Sequence, residues 1–233
     1  MTRNTVGYWL LFTAVGTVVQ ILLAIGINDL RYKKIGKFFH SCMVLPAFIT
    51  YIAIAFIVEA FLDRDTGMLN RIVTAFGGES LFWYAEAQYW PFILLIVNIW
   101  KGSGYGAVIY LATLTGIDEE LYEAAALDGA NARQKMWYIT LPMLVPVATL
   151  LILLSLGGVM HSDTGLFYQV TKNMSAIKST TRVLDSYVLT AMTTSTNYGV
   201  TSAVTFYQSV IGFLLVIGTN AVVRRIAPEN ALF

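Results

Sequence analysis

The chain has 233 residues, of which 57% are hydrophobic and only 12% are charged, and its formal net charge is +1. Soluble domains carry about 25% charged residues, so this composition excludes an ordinary soluble enzyme and predicts a polytopic membrane protein. The near-neutral charge gives no reason to expect a nucleic-acid partner, and a single cysteine excludes an internal disulfide. We therefore expect an all-α fold of membrane-spanning helices.

The apolar runs predict five membrane spans. A helix needs about 20 predominantly apolar residues to cross a bilayer. The runs that meet this condition are residues 6–27, 38–61, 91–115, 141–160 and 200–223. The more polar segments 62–89 and 162–199 are expected to lie outside the cell. Within them, residues 68–76 and 181–192 repeat apolar side chains at helical spacing, which predicts two short surface helices.

Basic residues at the ends of the spans predict their orientation. Lys and Arg are enriched in cytoplasmic loops, and the loop 28–37 and the pair Arg224–Arg225 are both basic. Five spans place both in the cytoplasm, together with the loop 116–140, although that loop is net acidic. The same five spans place the N-terminus outside with no leader to carry it there. We therefore expect the native protein to have at least one further span before residue 1.

The loop 116–140 has the pattern of two short helices joined by a glycine turn. Asp118 before two glutamates is typical of a helix N-cap with acids in the first turn. Gly129 is expected to end this helix, because a positive φ costs glycine little. A second short helix is predicted over residues 131–138, and Pro142 falls in the first turn of the next span. Such a compact element suits a groove on another protein.

The same stretch resembles the EAA loop in the permease subunits of type I ABC importers. The matching residues are Glu123-Ala124-Ala125, then Gly129, then Ile139-x-Leu141-Pro142. We call residues 118–142 the EAA element. Asn98-Ile-Trp100-Lys101-Gly102 and the stretch 165–170 add a resemblance to the carbohydrate branch, related to the maltose-importer permeases. The resemblance covers the whole chain and implies a single permease domain over residues 1–233. Such permeases usually have about six spans.

The resemblance implies a set of partners and a mechanism. The chain would form a transmembrane pathway with a second permease, expected to be a homologue, in a prokaryotic plasma membrane. Cytoplasmic ATPase subunits would dock on the EAA element, and an extracellular or periplasmic solute-binding protein would deliver a sugar. The sequence has no P-loop pattern, so ATP and Mg would bind to a separate chain. We expect no cofactor, metal or catalytic residue on this chain.

The resemblance also implies which residues contact the ATPase. Glu123 and Gly129 would set the docking geometry, and the small side chains of Ala124 and Ala125 would allow close approach. The full set of expected docking residues is Glu123, Ala124, Ala125, Asp128, Gly129, Arg133, Lys135, Ile139, Leu141 and Pro142.

Candidate substrate contacts follow from the chemistry of sugar binding, which combines aromatic faces with hydroxyl and amide partners. The candidates are Asn98, Trp100, Lys101 and Tyr105 on the third span and Tyr168 and Gln169 at the outer mouth. Each could instead be a packing residue or part of an interfacial belt. Lys101 near mid-span lines a watery pathway or reaches an interface, because an isolated charge in lipid is costly. His161 and Asp163 have no third neighbour that would complete a metal site.

Two other classes of function remain open. A channel or secondary transporter would often show internal repeats, and none is visible. An intramembrane hydrolase would need a nucleophile beside a base, yet Ser155 and His161 are six residues apart and do not share a helical face. An ABC importer would have ATPase and solute-binding genes beside it, whereas the other two classes need neither.

Overall fold

The structure, a computed structural model, describes residues 1–30, 32–195 and 198–226. Every regular element in these ranges is helical, so the predicted all-α fold is confirmed. The α-helices are α1 Thr2–Asn28, α2 Lys33–Val44, α3 Tyr51–Leu62, α4 Met68–Ala75, α5 Trp90–Thr115, α6 Glu119–Leu127, α7 Ala132–Lys135, α8 Leu141–Leu156, α9 Lys178–Thr181, α10 Leu184–Thr190 and α11 Tyr198–Ile226. Four 3-10 turns cover Leu45–Phe48, Trp83–Ala85, Ala87–Tyr89 and Ser175–Ile177, and three π-turns cover Met136–Thr140, Gly165–Val170 and Ala191–Ser195.

In the described part of the chain, four helical stretches are long and apolar enough to cross a membrane. They are Thr2–Asn28, Ala87–Thr115, Ala132–Leu156 and Tyr198–Ala221, and a bent helix pair adds a fifth if its two members are taken together. The count is therefore four, or the predicted five if the bent pair forms one span. The short helices predicted over residues 68–76 and 181–192 correspond to α4 and α10.

The second predicted span, residues 38–61, is interrupted rather than continuous. Pro46 has no N–H to extend the hydrogen-bond ladder of α2, and the chain passes into a 3-10 turn there. Thr50 then starts α3, where its Oγ1 accepts a hydrogen bond from the Ala53 N–H at 3.4 Å. The predicted loop 28–37 is also shortened, because α2 already begins at Lys33; Arg31 lies outside the described residues.

The second helix of the EAA element runs into the fourth span, although the sequence predicted a separate helix. The π-turn Met136–Thr140 joins α7 to α8, and the Leu141 N–H donates to the Met136 carbonyl five residues back. Pro142 cannot donate a backbone hydrogen bond, which accounts for a local change of the ladder at this point. As a result, Ala132–Leu156 is one helical stretch.

The chain divides into two compact units, which we describe separately. The first comprises Met1–Phe12, Phe48–Asn98 and Gly158–Phe213. Its main core contains buried side chains from α3, the beginning of α5 and the π-turn Gly165–Val170, including Ile54, Leu94 and Leu166. Within a membrane such side chains stabilise the fold by van der Waals packing rather than by removal from water.

A buried asparagine organises the segment that follows α3 in the first unit. The Asn70 side chain is almost fully buried. Its amide N–H groups donate to the carbonyls of Asp63, Arg64 and Leu81, and its Oδ1 accepts from the Trp83 Nε1–H at 3.0 Å. Because buried polar groups need hydrogen-bond partners, the Asn70 side chain links the start of this segment, at Asp63 and Arg64, to Leu81 and Trp83.

The second unit comprises Thr13–Ala47, Ile99–Gly157 and the chain from Leu214 onward. Its core is smaller and gathers α1, α5 and α8 around buried residues that include Ala24, Tyr110 and Leu144. The EAA element belongs to this unit.

Candidate functional site

The first helix of the EAA element begins and ends as predicted. The Asp118 Oδ1 accepts a hydrogen bond from the Glu120 N–H at 3.0 Å, which confirms the N-cap. Gly129 has φ +82°, a left-handed conformation that favours glycine. The Ala130 N–H donates to the Ala125 carbonyl at 2.8 Å, five residues back, which is the Schellman arrangement of a helix end. The turn is therefore defined by local hydrogen bonds.

The second helix of the EAA element begins with a capping box. The Gln134 N–H donates to the Asn131 Oδ1 at 3.0 Å, and the Asn131 N–H donates to the Gln134 Oε1 at 2.8 Å. The predicted helix start at Asn131 is confirmed, whereas the box itself was not predicted. The signal was present, since an asparagine followed three residues later by glutamine is close to the usual capping-box pattern.

A tertiary hydrogen bond joins the two helices at their base. The hydroxyls of Tyr122 and Thr140 lie 3.0 Å apart. Thr140 is buried, and it belongs to the π-turn that leads into α8. This bond attaches α6 to the start of the span, and local sequence patterns contain no signal for it.

The ten predicted docking residues all lie on this one element and many of their side chains are exposed. Ala125, Lys135, Ile139 and Leu141 are half-buried, and the other six are exposed. Two large apolar side chains of the same element are also exposed and are not among the predicted docking residues: Leu127 is 90% exposed and Tyr138 is 79% exposed. Large apolar side chains exposed beside polar ones are typical of a protein-binding surface.

The candidates on α5 have different surroundings. The Lys101 Nζ donates to the Ala47 carbonyl at 2.8 Å in a partly buried setting within the second unit. Ala47 lies in the 3-10 turn after α2, so the ammonium group meets a carbonyl near a helix end, where cations are favoured. Trp100 and Tyr105 are exposed and Asn98 is half-buried. Lys101 thus faces protein, and the pathway role of these four residues stays a prediction.

The other two candidates, Tyr168 and Gln169, line a cavity of about 400 Å³ in the first unit. We call it the Glu59–Lys172 pocket, because these two side chains form an ion pair at its wall. The residues that line it are Ile52, Ala55, Phe56, Glu59, Tyr168, Gln169, Lys172 and Asn173. Of these residues only Tyr168 and Gln169 were predicted, because the others lie on α3 or after the π-turn.

Lys172 also lies over a buried tyrosine. Its Nζ is 5.8 Å from the centroid of the Tyr84 ring. Burial, and secondarily the negative charge of Glu59, raises the pKa of Tyr84 to about 12. The phenol is therefore neutral at physiological pH, and its hydroxyl donates to the Val170 carbonyl at 3.4 Å.

The side chains of His161 and Asp163 contact different residues. The His161 Nδ1 lies 3.4 Å from the Asp185 Oδ1, whereas the Asp163 Oδ1 accepts from the Gly165 N–H at 2.8 Å and so caps the following π-turn. Among the residues that the structure describes, no three His, Cys, Asp or Glu side chains could hold a metal ion together.

Comparison with known proteins identifies the family. Residues 16–228 match the family described as binding-protein-dependent transport system inner membrane component. The chain belongs to this family. The predicted resemblance is thereby confirmed: the chain is a multi-pass inner-membrane permease and a transport subunit rather than an enzyme.

Three similar proteins are transporters or transporter subunits for sugar polymers. It is 28% identical to the polygalacturonan/rhamnogalacturonan transport system permease protein YteP of Bacillus subtilis, over 99% of this chain and 71% of that protein. It is 32% identical to the arabinooligosaccharides transport system permease protein AraP of Halalkalibacterium halodurans, over 72% of this chain and 54% of that protein. A chain of a bacterial alginate ABC transporter, crystallised with an alginate pentasaccharide-bound periplasmic protein, superposes with a TM-score of 0.89 at 28% identity, covering 96% of the permease and 77% of that chain.

Proposed function

We propose that this permease forms part of the transmembrane pathway of an ATP-driven oligosaccharide importer, and that its EAA element docks on a cytoplasmic ATPase. The observation that carries the proposal is the continuity of the EAA element with a span. Its second helix continues through a π-turn into α8, and the Tyr122–Thr140 hydrogen bond attaches the first helix to the same base. A force applied to the EAA element would therefore move α8 with it as a rigid body.

The exposed surface of the EAA element has the chemistry of a docking site. The small side chains of Ala124 and Ala125 allow a partner backbone to approach, and Leu127 offers apolar area to bury. Exposed Arg133 and half-buried Lys135 lie on α7, where they add polar contacts at the rim. ATP and Mg would be bound by the ATPase chain, and the docking surface would respond to its closure.

Two further partners complete the proposed importer. The similar alginate transporter was crystallised with a sugar-bound periplasmic protein, which supports a corresponding solute-binding partner here. A second permease, expected to be a homologue, would form the other side of the pathway. The names of YteP and AraP support an oligosaccharide as substrate, and they include both acidic and neutral sugars. Asn98, Trp100, Lys101, Tyr105, Tyr168 and Gln169 are the proposed substrate contacts.

Co-purification tests the docking proposal directly. The tagged permease is expressed with its neighbouring genes, and the amount of ATPase subunit that it retains is measured. We expect Glu123→Ala and Gly129→Asp each to lower this amount at least about tenfold, which corresponds to about 1.4 kcal/mol of binding free energy. Glu79→Ala is the matched control, because Glu79 is an exposed acid outside the EAA element. If the ATPase binds both EAA variants as well as it binds the control, this surface is not the docking site.

A further inference from the structure

We propose that the Glu59–Lys172 pocket binds one ring of a neutral, hydroxyl-rich sugar. The proposal rests on the proposed function as an oligosaccharide importer and adds the class of sugar and the residues that select it. None of Glu59, Lys172 and Asn173 belongs to the substrate contacts that the sequence predicted.

The size and lining of the pocket suit a sugar ring. Its volume of about 400 Å³ falls within the range of about 300–1,000 Å³ that is usual for small-molecule sites. Tyr168 and Phe56 supply aromatic surface, and the amides of Gln169 and Asn173 can both donate and accept hydrogen bonds. Glu59 accepts and Lys172 donates, so the wall offers partners for hydroxyl groups, which themselves both donate and accept.

The charges around the pocket favour a neutral ligand. Glu59 and Lys172 already form an ion pair, so the ammonium group has its counter-charge within the protein. Asp63 lies near enough for the positive charge of Lys172 to contribute to the lowering of its pKa. Tyr84, beneath Lys172, stays uncharged at physiological pH. The two charged side chains that line the pocket neutralise each other, so no unpaired positive charge is left for the carboxylate of a uronic acid.

The backbone at the pocket is held in an unusual conformation. Lys172 has φ +52° and Asn173 has φ +47°, two consecutive residues in the left-handed region without a glycine. Residues with a Cβ are disfavoured there, least so asparagine. Glycine would adopt this conformation without strain, yet the chain has two polar side chains that line the pocket. Strained positions of this kind often occur at ligand sites, so we assign a binding role to both side chains.

Sugar retention by the assembled transporter tests the proposal. The permease is purified with its co-expressed partners in lipid nanodiscs and incubated with two pools of probes. One pool contains neutral oligosaccharides from arabinan, galactan and starch, and the other contains oligouronides from pectate and alginate; retained sugars are measured by mass spectrometry. We expect retention from the neutral pool, reduced at least about tenfold by Tyr168→Ala and by Lys172→Gly.

Lys172→Gly separates binding from folding. Because glycine relieves the left-handed backbone, we expect the thermal midpoint of this variant to stay at or above that of the wild type while sugar retention falls. Lys178→Ala is the matched control, since Lys178 follows closely in the chain and does not line the pocket. We expect it to retain sugar as the wild type does. A parallel loss of sugar retention and thermal stability in Lys172→Gly would overturn the binding role of Lys172.

Glu59→Gln tests the charge argument through an expected gain in oligouronide retention. Without the glutamate charge, Lys172 is free to pair with a uronate, so we expect retention of oligouronides to rise at least about tenfold above the wild type. Preferred retention of oligouronides by the wild type, no retention of either pool, or retention that no pocket variant changes would each overturn the proposal. ATPase co-purification is scored separately on the same samples. If the ATPase co-purifies but the pocket variants do not change sugar retention, only this inference fails. If the pocket variants lower sugar retention but no ATPase co-purifies, the proposed function fails instead.

Discussion

The EAA element and the Glu59–Lys172 pocket are built in opposite ways. Among the hydrogen bonds described for the EAA element, the widest sequence separation is 18 residues, between Tyr122 and Thr140. The hydrogen bonds of its caps and its turn join residues that are closer together in sequence. The pocket joins α3 to a segment more than a hundred residues later, through the pairing of Glu59 with Lys172. A local element can be recognised from spacing alone, whereas a pocket of this kind exists only once distant helices have packed.

Two glycines illustrate the same contrast. Gly129 is needed for its backbone angle, since its φ is +82° and a Cβ there would meet nothing within 4 Å. Gly165 is needed for space, because a Cβ there would overlap the ring and Cβ of Tyr51 on α3. The first requirement is local, and the second is set by a neighbour far away in sequence.

The largest effect is expected at Gly165. Gly165→Ala forces the π-turn away from α3, and overpacking of this kind costs about 1–3 kcal/mol of unfolding free energy. We expect a lower thermal midpoint in detergent and weaker sugar retention, because Tyr168 and Gln169 lie on the displaced turn. Gly157→Ala is the control: its Cβ would make only an ordinary 3.5 Å contact with the Leu154 carbonyl. Equal stability of the two variants would show that Tyr51 and Gly165 need not pack closely.

A smaller and more local effect is expected at Gly129. Alanine in the left-handed region costs about 1–2 kcal/mol, and asparagine costs less. Gly129→Ala should therefore speed hydrogen exchange of the amides in residues 119–135 and weaken ATPase binding, with Gly129→Asn intermediate. The thermal midpoint of the whole permease should change little, since the element is exposed. If alanine and asparagine behave alike, the backbone angle is not the reason for glycine here.

The smallest effect concerns Asp63, near the pocket. The Thr66 hydroxyl donates to its Oδ1 at 2.7 Å, and the N–H groups of Thr66 and Asp65 donate at 2.8 and 3.1 Å. These hydrogen bonds, that of the Thr66 hydroxyl first, hold the pKa of Asp63 below its ordinary value. A lowered carboxyl pKa gives stability above the unfolded-state pKa that disappears as the pH falls through the folded-state pKa.

Thr66→Val tests this assignment by removing the strongest of the three bonds. The thermal midpoints of wild type and variant, measured from neutral pH to about pH 3, should differ by a small constant amount at neutral pH and converge in acid. The difference should be small, because Asp63 is only half-buried and solvent screens its charge. A difference that grows as the pH falls would contradict the assignment.

Much of this permease was predictable because its signals are local or compositional. The low charge and the apolar runs predicted the spans, Asp118 and Gly129 predicted both ends of α6, and the spacing from Glu123 to Pro142 predicted the family. Composition determines that the chain lies in a membrane, since lipid admits few charges. Capping and left-handed turns depend on residues within one helical turn, so they are visible in a single sequence.

Tertiary structure decided the rest. The sequence showed Pro46 but not that α2 would stop there, and it showed Pro142 but not that the helix would continue past it through a π-turn. It showed Tyr168 and Gln169 but not that Glu59 and Lys172 would face them. Whether a proline breaks a helix and which distant charges meet depend on packing against neighbours, and packing is a property of the folded chain rather than of any local stretch.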